Sequence, residues 1–586
     1  MGECIGLDFG TTYSVVSHLI DNHGINIPEA IDFGDEEKSI TSIESLVVKR
    51  NDETKIGYEA VPDMRRSGAH TFKGFKMLLD CEANEAASRG FVQENTPEAI
   101  TALFMEELFK KVGIVSPDCK VIDKVVVGVP YVWTEHGEDS RKFEVVEIVQ
   151  RATNASLVEF QSEPTLACAY FVQEINRHRK KNFQGHILVI DYGGGTLDVT
   201  LCKATVEGKK SSIEVQASWG AGENTEGTIG SAGLAFMETV ADFLLKERQI
   251  EIPNKEDNDY QKFVKDIEKI IKNQSSHLRQ CIEREKRYFS SGGQKYKEEI
   301  SGDSAYFKGE EYFVTYEALV CAYNESIRPV LERVLKTAKA DMDDKWPDVK
   351  YNDYTSGTFK IATIGGFCNF ALTEKQIRTD TDWLRSHAGN DTRYTELDEA
   401  VKPKNRELAV AFGAALNAND IVGIKRQFPY TLCFYAEKSN GKGGFEPDTS
   451  EDTTFVVFKE GEEYEPGQPV FAGYTEDGKT VKIKFGGYNL PFISRERDGM
   501  ISDIKKPTVA MDLYNGVAVD GVYIAMAMER NEKLTLYVYN AKAFDKLSKE
   551  NQKDPKNSAL IGAPSAFPNI HKLLGGIYRD HSRRKK

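Results

Sequence analysis

Two short turns, each opened by an aspartate, constrain the fold of this chain more than any other feature of its sequence. The first turn has the sequence DFGTTYS at residues 8–14 and follows the apolar run CIGL at 4–7. The second has the sequence DYGGGTLD at residues 191–198 and follows the apolar run ILVI at 187–190. Short apolar runs that end at turn residues predict buried strands. The sequence therefore predicts two strand–turn–strand units far apart in the chain.

The residues of both turns suit the binding of phosphate groups. Glycines let the backbone turn sharply and present N–H groups to anionic oxygens, and the hydroxyls of Thr11, Thr12 and Thr196 add donors. Asp8 and Asp191 would repel bare phosphate, but a carboxylate can hold a hydrated Mg²⁺ ion that bridges phosphates. Either turn alone could be an ordinary loop. Two copies led by an acid favour a site for a metal-bound nucleotide.

Composition limits the class of protein. A chain of 586 residues exceeds what one core usually supports, so we expect at least two domains. The net charge of −15 argues against nucleic-acid binding, and no apolar stretch approaches the ~20 residues of a membrane span. The nine cysteines include no Cys-x-x-Cys pair, which argues against a zinc site or a disulfide framework. The first residues lead directly into a strand rather than a signal peptide, so we expect a cytoplasmic protein.

The pattern of apolar residues divides the chain into domains. Over residues 1–420 short apolar runs alternate with helical patterns, which predicts an α/β fold, and the two turns predict duplicated subdomains. Residues 429–545 predict a smaller, mainly β domain after a linker at 421–428, and residues 546–586 predict a basic, flexible tail. The individual elements that we expect are a buried strand at 125–130, helices at 135–152, 260–290 and 316–340, strands at 430–436, 453–459, 480–485, 522–529 and 534–539, and a short helix at 570–574.

The two turns resemble the phosphate motifs of a known family. Residues 6–14 and 190–199 are similar to the first and second phosphate motifs of the DnaK-like chaperones, the heat-shock 70 kDa family. The ATPase domain of that family has the actin and hexokinase superfold, and the resemblance extends over residues 1–420. It implies an actin-like, two-lobed ATPase domain in which Mg²⁺-ATP lies between the lobes.

Three further segments resemble the adenosine-binding elements of the family. The sequence LRQCIEREKRYFSS at 278–291 is similar to the helix that clasps adenosine, although a charged surface helix would have much the same composition. The segment ATIGGFCN at 362–369 is similar to the second adenosine motif, and residues 407–415 are similar to the closing helix. The residues that the resemblance assigns to the nucleoside are Glu283 and Lys286 at the ribose, Arg287 and Ser290 at adenine, and Gly365 and Gly366 along the nucleotide.

Two segments resemble the catalytic elements of the family. The sequence SEPTLACAY at 162–170 is similar to the segment whose glutamate reaches toward the metal and the attacking water, which implies this role for Glu163. Pro130 matches a proline switch in the same network. In the sequence FKGFKMLL, Lys76 aligns best with the lysine that the family places beside the γ-phosphate, and an apparent one-residue insertion leaves Lys73 as the alternative. A lysine there would offset charge on the phosphoryl oxygens.

The sequence departs from the family at four places. The family usually has Ser-Thr-Arg after the Gly-Gly pair of the second adenosine motif, whereas this chain has FCN at 367–369, so adenine binding would be weaker or arranged differently. The usual Gly-Gly-Glu-Asp is lost around 228–232, where only Gly230 carries over. The leucine-rich linker is absent at 420–426. The β region is only weakly similar to the family's peptide-binding sandwich, and no helical lid follows it.

The resemblance implies an Mg²⁺-dependent ATPase and chaperone that binds unfolded or extended polypeptide in a nucleotide-dependent way. The expected cofactors are ATP or ADP with Mg²⁺, and K⁺ is a further candidate ion. A J-domain co-chaperone and a nucleotide exchange factor are candidate partners, whereas nucleic acid and membranes are not. The alternatives are an atypical ATP-binding scaffold or co-chaperone with little or no turnover, and a small-molecule kinase or filament protein on the same superfold.

The expected site residues fall into three overlapping groups. Those assigned to catalysis are Lys76, Glu163, Asp191, Thr196 and Asp198. Those assigned to the metal are Asp8, Glu163 and Asp191. Those assigned to the nucleotide are Gly10, Thr11, Thr12, Tyr13, Gly193, Gly194, Gly195, Thr196, Gly230, Glu283, Lys286, Arg287, Ser290, Gly365, Gly366, Asn369 and Glu407. In this arrangement Glu163 and Asp198 position the water for in-line attack, and Lys76 stabilises the charge that develops.

Overall fold

The chain has a mixed α/β fold that divides into two compact units. A computed structural model describes residues 2–566, apart from residues 24, 35–36, 52, 136–139, 180–182, 209, 223–229, 256, 288–312, 346–358, 382–405, 429–430, 436, 440, 442–444, 448–453, 460, 477–478, 483, 486–491, 498–499 and 502–520. The first unit comprises Met1–Val132 and Glu144–Ile424, and the second comprises Trp133–Phe143 and Lys425–Lys586. The boundary after residue 424 falls inside the linker predicted at 421–428.

Strands alternate with helices in the first unit and mostly follow one another in the second. In chain order, the strands of the first unit are β1 (Glu3–Phe9), β2 (Tyr13–Asn22), β3 (Ile25–Ala30), β4 (Ile43–Glu44), β5 (Leu46–Arg50), β6 (Glu53–Ile56), β7 (Ala69–Lys73), β8 (Ile122–Val129), β9 (Leu157–Ser162), β10 (Phe183–Tyr192), β11 (Leu197–Glu207), β12 (Lys210–Ala221), β13 (Phe359–Ile364) and β14 (Val422–Lys425). Those that follow are β15 (Thr431–Tyr435), β16 (Glu437–Ser439), β17 (Phe445–Pro447), β18 (Thr454–Phe458), β19 (Val470–Phe471), β20 (Gly473–Glu476), β21 (Lys479–Lys482), β22 (Lys484–Phe485), β23 (Phe492–Arg497), β24 (Met500–Ile501), β25 (Val522–Met528), β26 (Leu534–Asn540) and β27 (Ser565–Ala566).

Most of the helices belong to the first unit. In chain order, the described α-helices are α1 (Ala83–Ala87), α2 (Pro97–Val115), α3 (Tyr131–Glu135), α4 (Ser140–Thr153), α5 (Glu163–Arg179), α6 (Gly233–Glu247), α7 (Asn258–Asn273), α8 (Ser275–Arg287), α9 (Tyr316–Ser326), α10 (Arg328–Lys345), α11 (Ala371–Asp380), α12 (Ala409–Ala418) and α13 (Ala541–Phe544). Short 3-10 helices lie at Gly57–Glu59, Val61–Arg65, Phe75–Leu78, Pro117–Lys120, Gly366–Asn369, Arg406–Leu408 and Asn551–Lys553. None of the helices described here combines the length and the apolar character that crossing a membrane requires.

The first unit contains two sheets with the same local arrangement. The strand order of the first is β3-β2-β1-β8-β9, with β4 paired to β2, and that of the second is β13-β10-β11-β12-β14. Strands β1 and β10 each return through a turn into an antiparallel neighbour, and each pairs on its other side with a parallel strand. A third, smaller sheet has the order β6-β5-β7. The two phosphate turns therefore lie at equivalent places in two sheets of like topology.

Strand β10 is buried on both of its faces. Leu188 and Ile190 pack into a core with residues of helices α6 to α11, whereas Ile187 and Val189 pack into a different core with α5 and α12. Successive residues of a strand point to opposite faces of the sheet, so covering both faces requires apolar residues at every position. This explains the uninterrupted apolar run that precedes the second turn.

Helices α5 and α12 lie between the two sheets. Their core contains Val126 of the first sheet and Val189 of the second. Helix α12 has the sequence AVAFGAALNA, and all of its residues are buried. A Cβ built at Gly413 of this helix would overlap the carbonyl oxygen of Leu166 in α5. The small residues of α12 thus allow the two helices to cross closely enough to fit between the sheets.

Gly413→Ala should destabilise the chain by about 1–3 kcal/mol, because the added methyl group would have to displace backbone at a tight helix crossing. The measurement is the free energy of unfolding from urea denaturation. Gly113→Ala in α2 is the matched control, because a Cβ at that helical glycine would meet only the Lys120 Cγ atom, at 3.9 Å. The control should be neutral or stabilising by up to about 1 kcal/mol. Equal losses in the two variants would contradict the packing explanation.

The second unit consists mainly of two sheets that share one core. Their strand orders are β21-β20-β18-β15-β23-β24 and β19-β25-β26-β27, with β22 paired to β25. Leu432 and Phe434 of the first sheet pack with Ile524 and Met526 of the second. The strands expected between residues 430 and 539 are confirmed, although the segment expected at 480–485 is divided into β21 and β22.

Residues 546–566 differ from the flexible tail that the sequence predicts. Ala559 and Leu560 pack with Phe544 on the face of the β25–β26 hairpin that lies opposite the shared core. Strand β27 pairs with β26. These few apolar residues are widely spaced in a polar segment, so composition alone conceals their burial. The short helix predicted at 570–574 lies outside the described residues.

The single helices predicted at 260–290 and 316–340 are each divided in two. The first is interrupted at Gln274, between α7 and α8, and the second at Ile327, between α9 and α10. Pro329 lies in the first turn of α10, where its missing N–H costs no helical hydrogen bond. That proline is the sequence signal for the second break, whereas no glycine or proline marks the first.

Candidate functional site

The ends of β1 and β10 bring the two phosphate turns into contact. A Cβ built at Gly194 would overlap the hydroxyl oxygen of Thr12, and one built at Gly195 would overlap that of Thr11. Thr11 is buried, as is Thr196 in the second turn. The missing side chains of the two glycines are therefore what allows the turns to approach each other. The sequence predicts each turn separately, and the fold joins them into one site.

Four carboxylates surround this contact. Asp8 lies near the end of β1 and Asp191 near the end of β10, while Asp198 lies directly opposite Asp191 in β11. Glu163 is the first residue of α5. Asp191, Asp198 and Glu163 are all buried. The acidic residues predicted for catalysis and for the metal thus come together from four separate elements of the first unit.

The crowding of these carboxylates changes their proton affinity. Burial, and after it repulsion from Glu163, raises the pKa of Asp8 to about 8, although Lys76 opposes the shift. Burial and Glu163 also raise the pKa of Asp198 to about 8, against local hydrogen bonds that favour its charged form. Burial, and after it repulsion from the other carboxylates, raises the pKa of Asp191 well above its usual range. Such a cluster favours the binding of protons or of another cation.

Lys76 supplies the cation that the cluster already contains. Its side chain is almost fully buried, and its Nζ atom lies 2.6 Å from Oε1 of Glu163. The Nζ atom also lies 5.5 Å from the centre of the Phe9 ring. Lys73 lies elsewhere, where burial lowers its pKa and its charged neighbours include Glu44. Of the two lysines that the alignment left open, the structure places Lys76 in the carboxylate cluster.

The donor set suits a hydrated cation better than one bound directly by the protein. Among the described residues, no three His, Cys, Asp or Glu side chains converge closely enough to hold a metal ion. Oδ1 of Asp198 accepts the backbone N–H of Tyr131 at 3.1 Å, while its buried Oδ2 has no hydrogen-bond partner among the residues described. When they are ionised, four carboxylates against one lysine leave an excess of negative charge that a bound cation would offset. Oxygen ligands and retained waters are what Mg²⁺ prefers.

Other predicted glycines gather beside the second turn. Gly230 lies against the carbonyl of Gly195, and Gly365 lies against Asp191. The carbonyl of Gly194 accepts the backbone N–H of Leu234 at 2.8 Å, in the first turn of α6. The turn is therefore tied both to the start of α6 and to the segment that follows β13. These ties fix the position of Asp191 relative to the turn.

The residues predicted for the nucleoside are less completely described. Glu283, Lys286 and Arg287 lie at the end of α8, where the structure describes the backbone but not these side chains, and Ser290 lies outside the described residues. Gly366, Asn369 and Glu407 are exposed, on short 3-10 helices. Gly10 and Gly193 lie in the two phosphate turns. Tyr13 is partly exposed, and its hydroxyl accepts a hydrogen bond from Lys272 of α7 at 3.3 Å.

The two predicted adenosine segments are neighbours in the fold. Arg279 of α8 forms an ion pair with Glu374 of α11 and donates to the carbonyl oxygen of Asn369 at 3.3 Å. Phe367 is buried and stacks on Phe370 with a centroid distance of 5.3 Å. The phenylalanine that replaces the family's serine therefore belongs to the core behind the turn and not to its exposed face.

Sequence reasoning missed the contacts that join residues 44–89 to helices α6 and α7. Arg89 forms an ion pair with Glu238 of α6 at 2.9 Å, and both side chains are nearly buried. Lys265 of α7 pairs with Glu44 at 2.6 Å. The partners are far apart in the chain and belong to no motif, so no local signal could have found them. They connect the part of the chain that carries Lys76 to the part that follows the second turn.

Comparison with known proteins supports the family indicated by these residues. No family model matches the chain. It is 27% identical over 228 residues to the chaperone protein DnaK of Mycoplasmopsis agalactiae, which covers 38% of this chain and 32% of that protein. It is 28% identical over 224 residues to the chaperone protein DnaK of Metamycoplasma hominis, with the same two shares.

A relative of lower sequence identity is also a chaperone protein DnaK. The chain is 24% identical over 221 residues to the chaperone protein DnaK of Elusimicrobium minutum, again over 38% of this chain and 32% of the relative. The chain thus spans about a third of the length of the curated relatives that it matches. Of the motifs that carry the resemblance, the two turns, the segment at 162–170 and the segment that contains Lys76 contribute the side chains that meet in the carboxylate cluster. Over these matched segments the chain therefore resembles the DnaK-like, heat-shock 70 kDa family of chaperones, as a divergent relative.

Proposed function

We propose that the first unit binds ATP with Mg²⁺ and hydrolyses it. The observation that supports this most is the cluster of Asp8, Glu163, Asp191 and Asp198 around Lys76, at the contact between the two glycine–threonine turns. The like topology of the two sheets, with α5 and α12 between them, supports an actin-like, two-lobed arrangement for this unit. Among folds of that kind, family resemblance favours a chaperone ATPase over a small-molecule kinase or a filament protein.

In this proposal the residues around the turns hold the nucleotide. Thr11, Thr12 and Thr196 donate hydrogen bonds to phosphate oxygens, and the backbone of Gly194 and Gly195 lies against them. Asp8, Asp191 and Glu163 would hold a hydrated Mg²⁺ ion. Bound Mg²⁺ would neutralise charge on the phosphates and on the cluster. These groups come from the ends of β1 and β10, the turns that follow them and the start of α5, and the surrounding packing limits the reorganisation that binding requires.

The remaining residues have roles in proton transfer and charge stabilisation. Lys76 carries positive charge toward the transferring phosphoryl group, and its pairing with Glu163 holds the ammonium in one position. The unpartnered Oδ2 of Asp198 is the group that can accept a hydrogen bond from an attacking water. A carboxyl with a pKa of about 8 is near the range in which it exchanges protons at neutral pH.

Removal of Lys76 should slow the chemical step more than it weakens ATP binding. We expect Lys76→Met to lower the single-turnover rate of ATP hydrolysis by about 10²-fold or more, because one preorganised charge is lost at the transferring group. Lys73→Met is the matched control, because Lys73 ends β7 and lies outside the carboxylate cluster. ATP affinity measured by calorimetry on both variants reports whether the site is still folded. Equal rates in the two variants would exclude the proposed role of Lys76.

The aspartates of the cluster should make stability depend on pH and on Mg²⁺. The pKa values of Asp8 and Asp198 are about 8 in the folded chain and ordinary in the unfolded chain, so the stability they contribute is present in acid and lost as pH rises through about 8. We expect the Tm without metal to fall as the pH rises from about 4 to about 8, and Mg²⁺ to oppose the fall.

The same scans on two variants test the origin of this effect. Asp198→Asn should reduce the dependence of Tm on pH, because it removes one of the raised carboxyls. Glu247→Gln serves as the control, because Glu247 is exposed at the end of α6. If the Asp198 variant kept the full pH dependence, the raised carboxyls of the cluster would not be the origin of the effect.

We propose further that the second unit binds extended polypeptide in a way that depends on the nucleotide. Its sheets end in short edge strands such as β24 and β21, and an extended peptide can add to such an edge. A cytoplasmic location, a J-domain co-chaperone and a nucleotide exchange factor belong to the same proposal. The support is the family relationship, which rests on a third of the relatives' length.

An atypical scaffold that binds ATP without turnover is the second candidate. The exposed Asn369, where the family has an arginine that stacks on adenine, and the buried Phe367 favour it. Single-turnover hydrolysis with and without an extended apolar peptide separates the two. A peptide-dependent acceleration of about tenfold, absent for a peptide of the same length rich in glycine and serine, is expected of the chaperone. Tight ATP binding with no hydrolysis under either condition would favour the scaffold.

A further inference from the structure

A groove of about 370 Å³ lies in the first unit, on a surface that has no part in the carboxylate cluster. Its walls are the C-terminal part of α2, the turn Pro117–Lys120, the start of β8 and the last turn of α4. Phe109, Cys119 and Ile122 give it an apolar floor. Cys119 is buried and its thiol accepts the Ser116 hydroxyl at 3.5 Å, so the turn is held in place.

Three large apolar side chains that lie close to residues of this groove in the sequence are exposed. Ile114 is 70% exposed, Val121 is 65% exposed and Val115 is 42% exposed. They make up three of the seven large hydrophobic side chains that are exposed in the described part of the chain. Single exposed apolar residues are ordinary, but a cluster beside a concave apolar floor is typical of an interaction surface.

The groove is positively charged on a chain that is strongly acidic. Lys110, Lys120 and Arg151 line it against the carboxylate of Glu106, although Lys110 also lies 3.5 Å from Glu107, and the chain as a whole has a net charge of −15. Lysine and arginine near helix C-termini can simply complement the helix dipole, which amounts to about half a unit charge at each end. The C-terminal ends of α2 and α4 both lie here and together contribute about one negative charge. The three cations that line the groove exceed this charge and that of the one lining carboxylate, so the surface remains attractive to an anionic partner.

A glycine keeps the wall of the groove open. Gly113 lies inside α2, where alanine would stabilise the helix by about 1 kcal/mol. A Cβ there would meet only the Lys120 Cγ atom, at 3.9 Å, so no neighbouring group requires a glycine. Unlike Gly413, this residue is not explained by internal packing. Its effect is to leave space between α2 and Lys120.

We propose that this groove is a docking site for a segment of a partner protein that presents apolar side chains flanked by carboxylates. The apolar floor and the exposed Ile114 and Val121 would cover the apolar side chains, and the three cations would face the carboxylates. A small anion would engage the cations but leave the apolar edge exposed. Residues 567–586 of this chain are rich in lysine and arginine, so their charge argues against them as the occupant.

Gly113→Phe tests the proposal directly, because the new side chain would fill the groove without steric conflict and without loss of helix propensity. The probe is a fluorescent peptide of alternating leucine and glutamate pairs, titrated into the full chain and followed by anisotropy. We expect the variant to weaken binding by about tenfold or more. Lys120→Glu should weaken it as well, and binding to the unaltered chain should fall as salt is added.

Two controls separate this site from other modes of binding. A peptide with lysine in place of glutamate should bind the groove poorly, whereas the second unit should not distinguish the two by charge. Cross-linking of the glutamate peptide should modify residues of α2 or of the turn Pro117–Lys120 in the unaltered chain only. Equal binding by Gly113→Phe, or a preference for the lysine peptide, would overturn the proposal. The proposal would also be overturned if the sole effect of Gly113→Phe were the loss of dimers of this chain, or the loss of binding to anionic lipid vesicles.

Discussion

Burying several carboxylates around one lysine is the constraint on which the rest of the first unit depends. An ionised carboxylate loses much of its hydration when it is buried, and neighbours of like charge add to the cost. The ion pair between Lys76 and Glu163 offsets part of that cost, and the raised pKa values of Asp8 and Asp198 measure what remains. A fold that maintains such a cluster gives up stability that an apolar arrangement would not. This is the physical reason to regard the cluster as functional.

The architecture explains how the cost is met. The acidic residues lie at the ends of strands whose other residues are buried on both faces, so the surrounding packing holds the backbone. Helices α5 and α12 connect the two sheets, and their close crossing depends on the lack of a side chain at Gly413. Because α5 begins at Glu163, the same packing that joins the sheets also sets the position of the carboxylate that pairs with Lys76.

Features specified by local sequence could be predicted, and those specified by distant contacts could not. The runs before Asp8 and Asp191 and the glycines after them signal strand and turn without reference to the rest of the chain. The choice between Lys76 and Lys73 depends on a 3-10 turn that follows β7, which the alignment could not resolve. The ion pair of Arg89 with Glu238 joins distant parts of the chain and leaves no local signal.

The incorrect predictions of a flexible tail at 546–566 and of single helices at 260–290 and 316–340 have a similar origin. Residues 546–566 are mostly polar, and their few apolar side chains become meaningful only beside Phe544. Pro329 is a sequence signal for the break between α9 and α10. The helical period of apolar residues continues on both sides of the break, so the pattern alone predicts one helix. The sequence shows that phenylalanine stands at position 367 where the family has serine, but it does not show where that side chain packs. A phenylalanine beside a ligand and one in a core are equally compatible with the motif.

The divergence of this chain is uneven across the proposed nucleotide site, and the physical reason is the density of contacts. On the phosphate side, Gly194 lies against Thr12 and Gly195 against Thr11, so a side chain at either glycine would force the two turns apart. On the adenine side, Asn369 is exposed, and its carbonyl is engaged by Arg279, itself paired with Glu374 on the neighbouring helix. A base-stacking side chain can be lost there without disturbing the fold, since adjacent groups already satisfy the backbone. In the proposed site, packing therefore constrains the residues on the phosphate side, whereas only the ligand would constrain those on the adenine side.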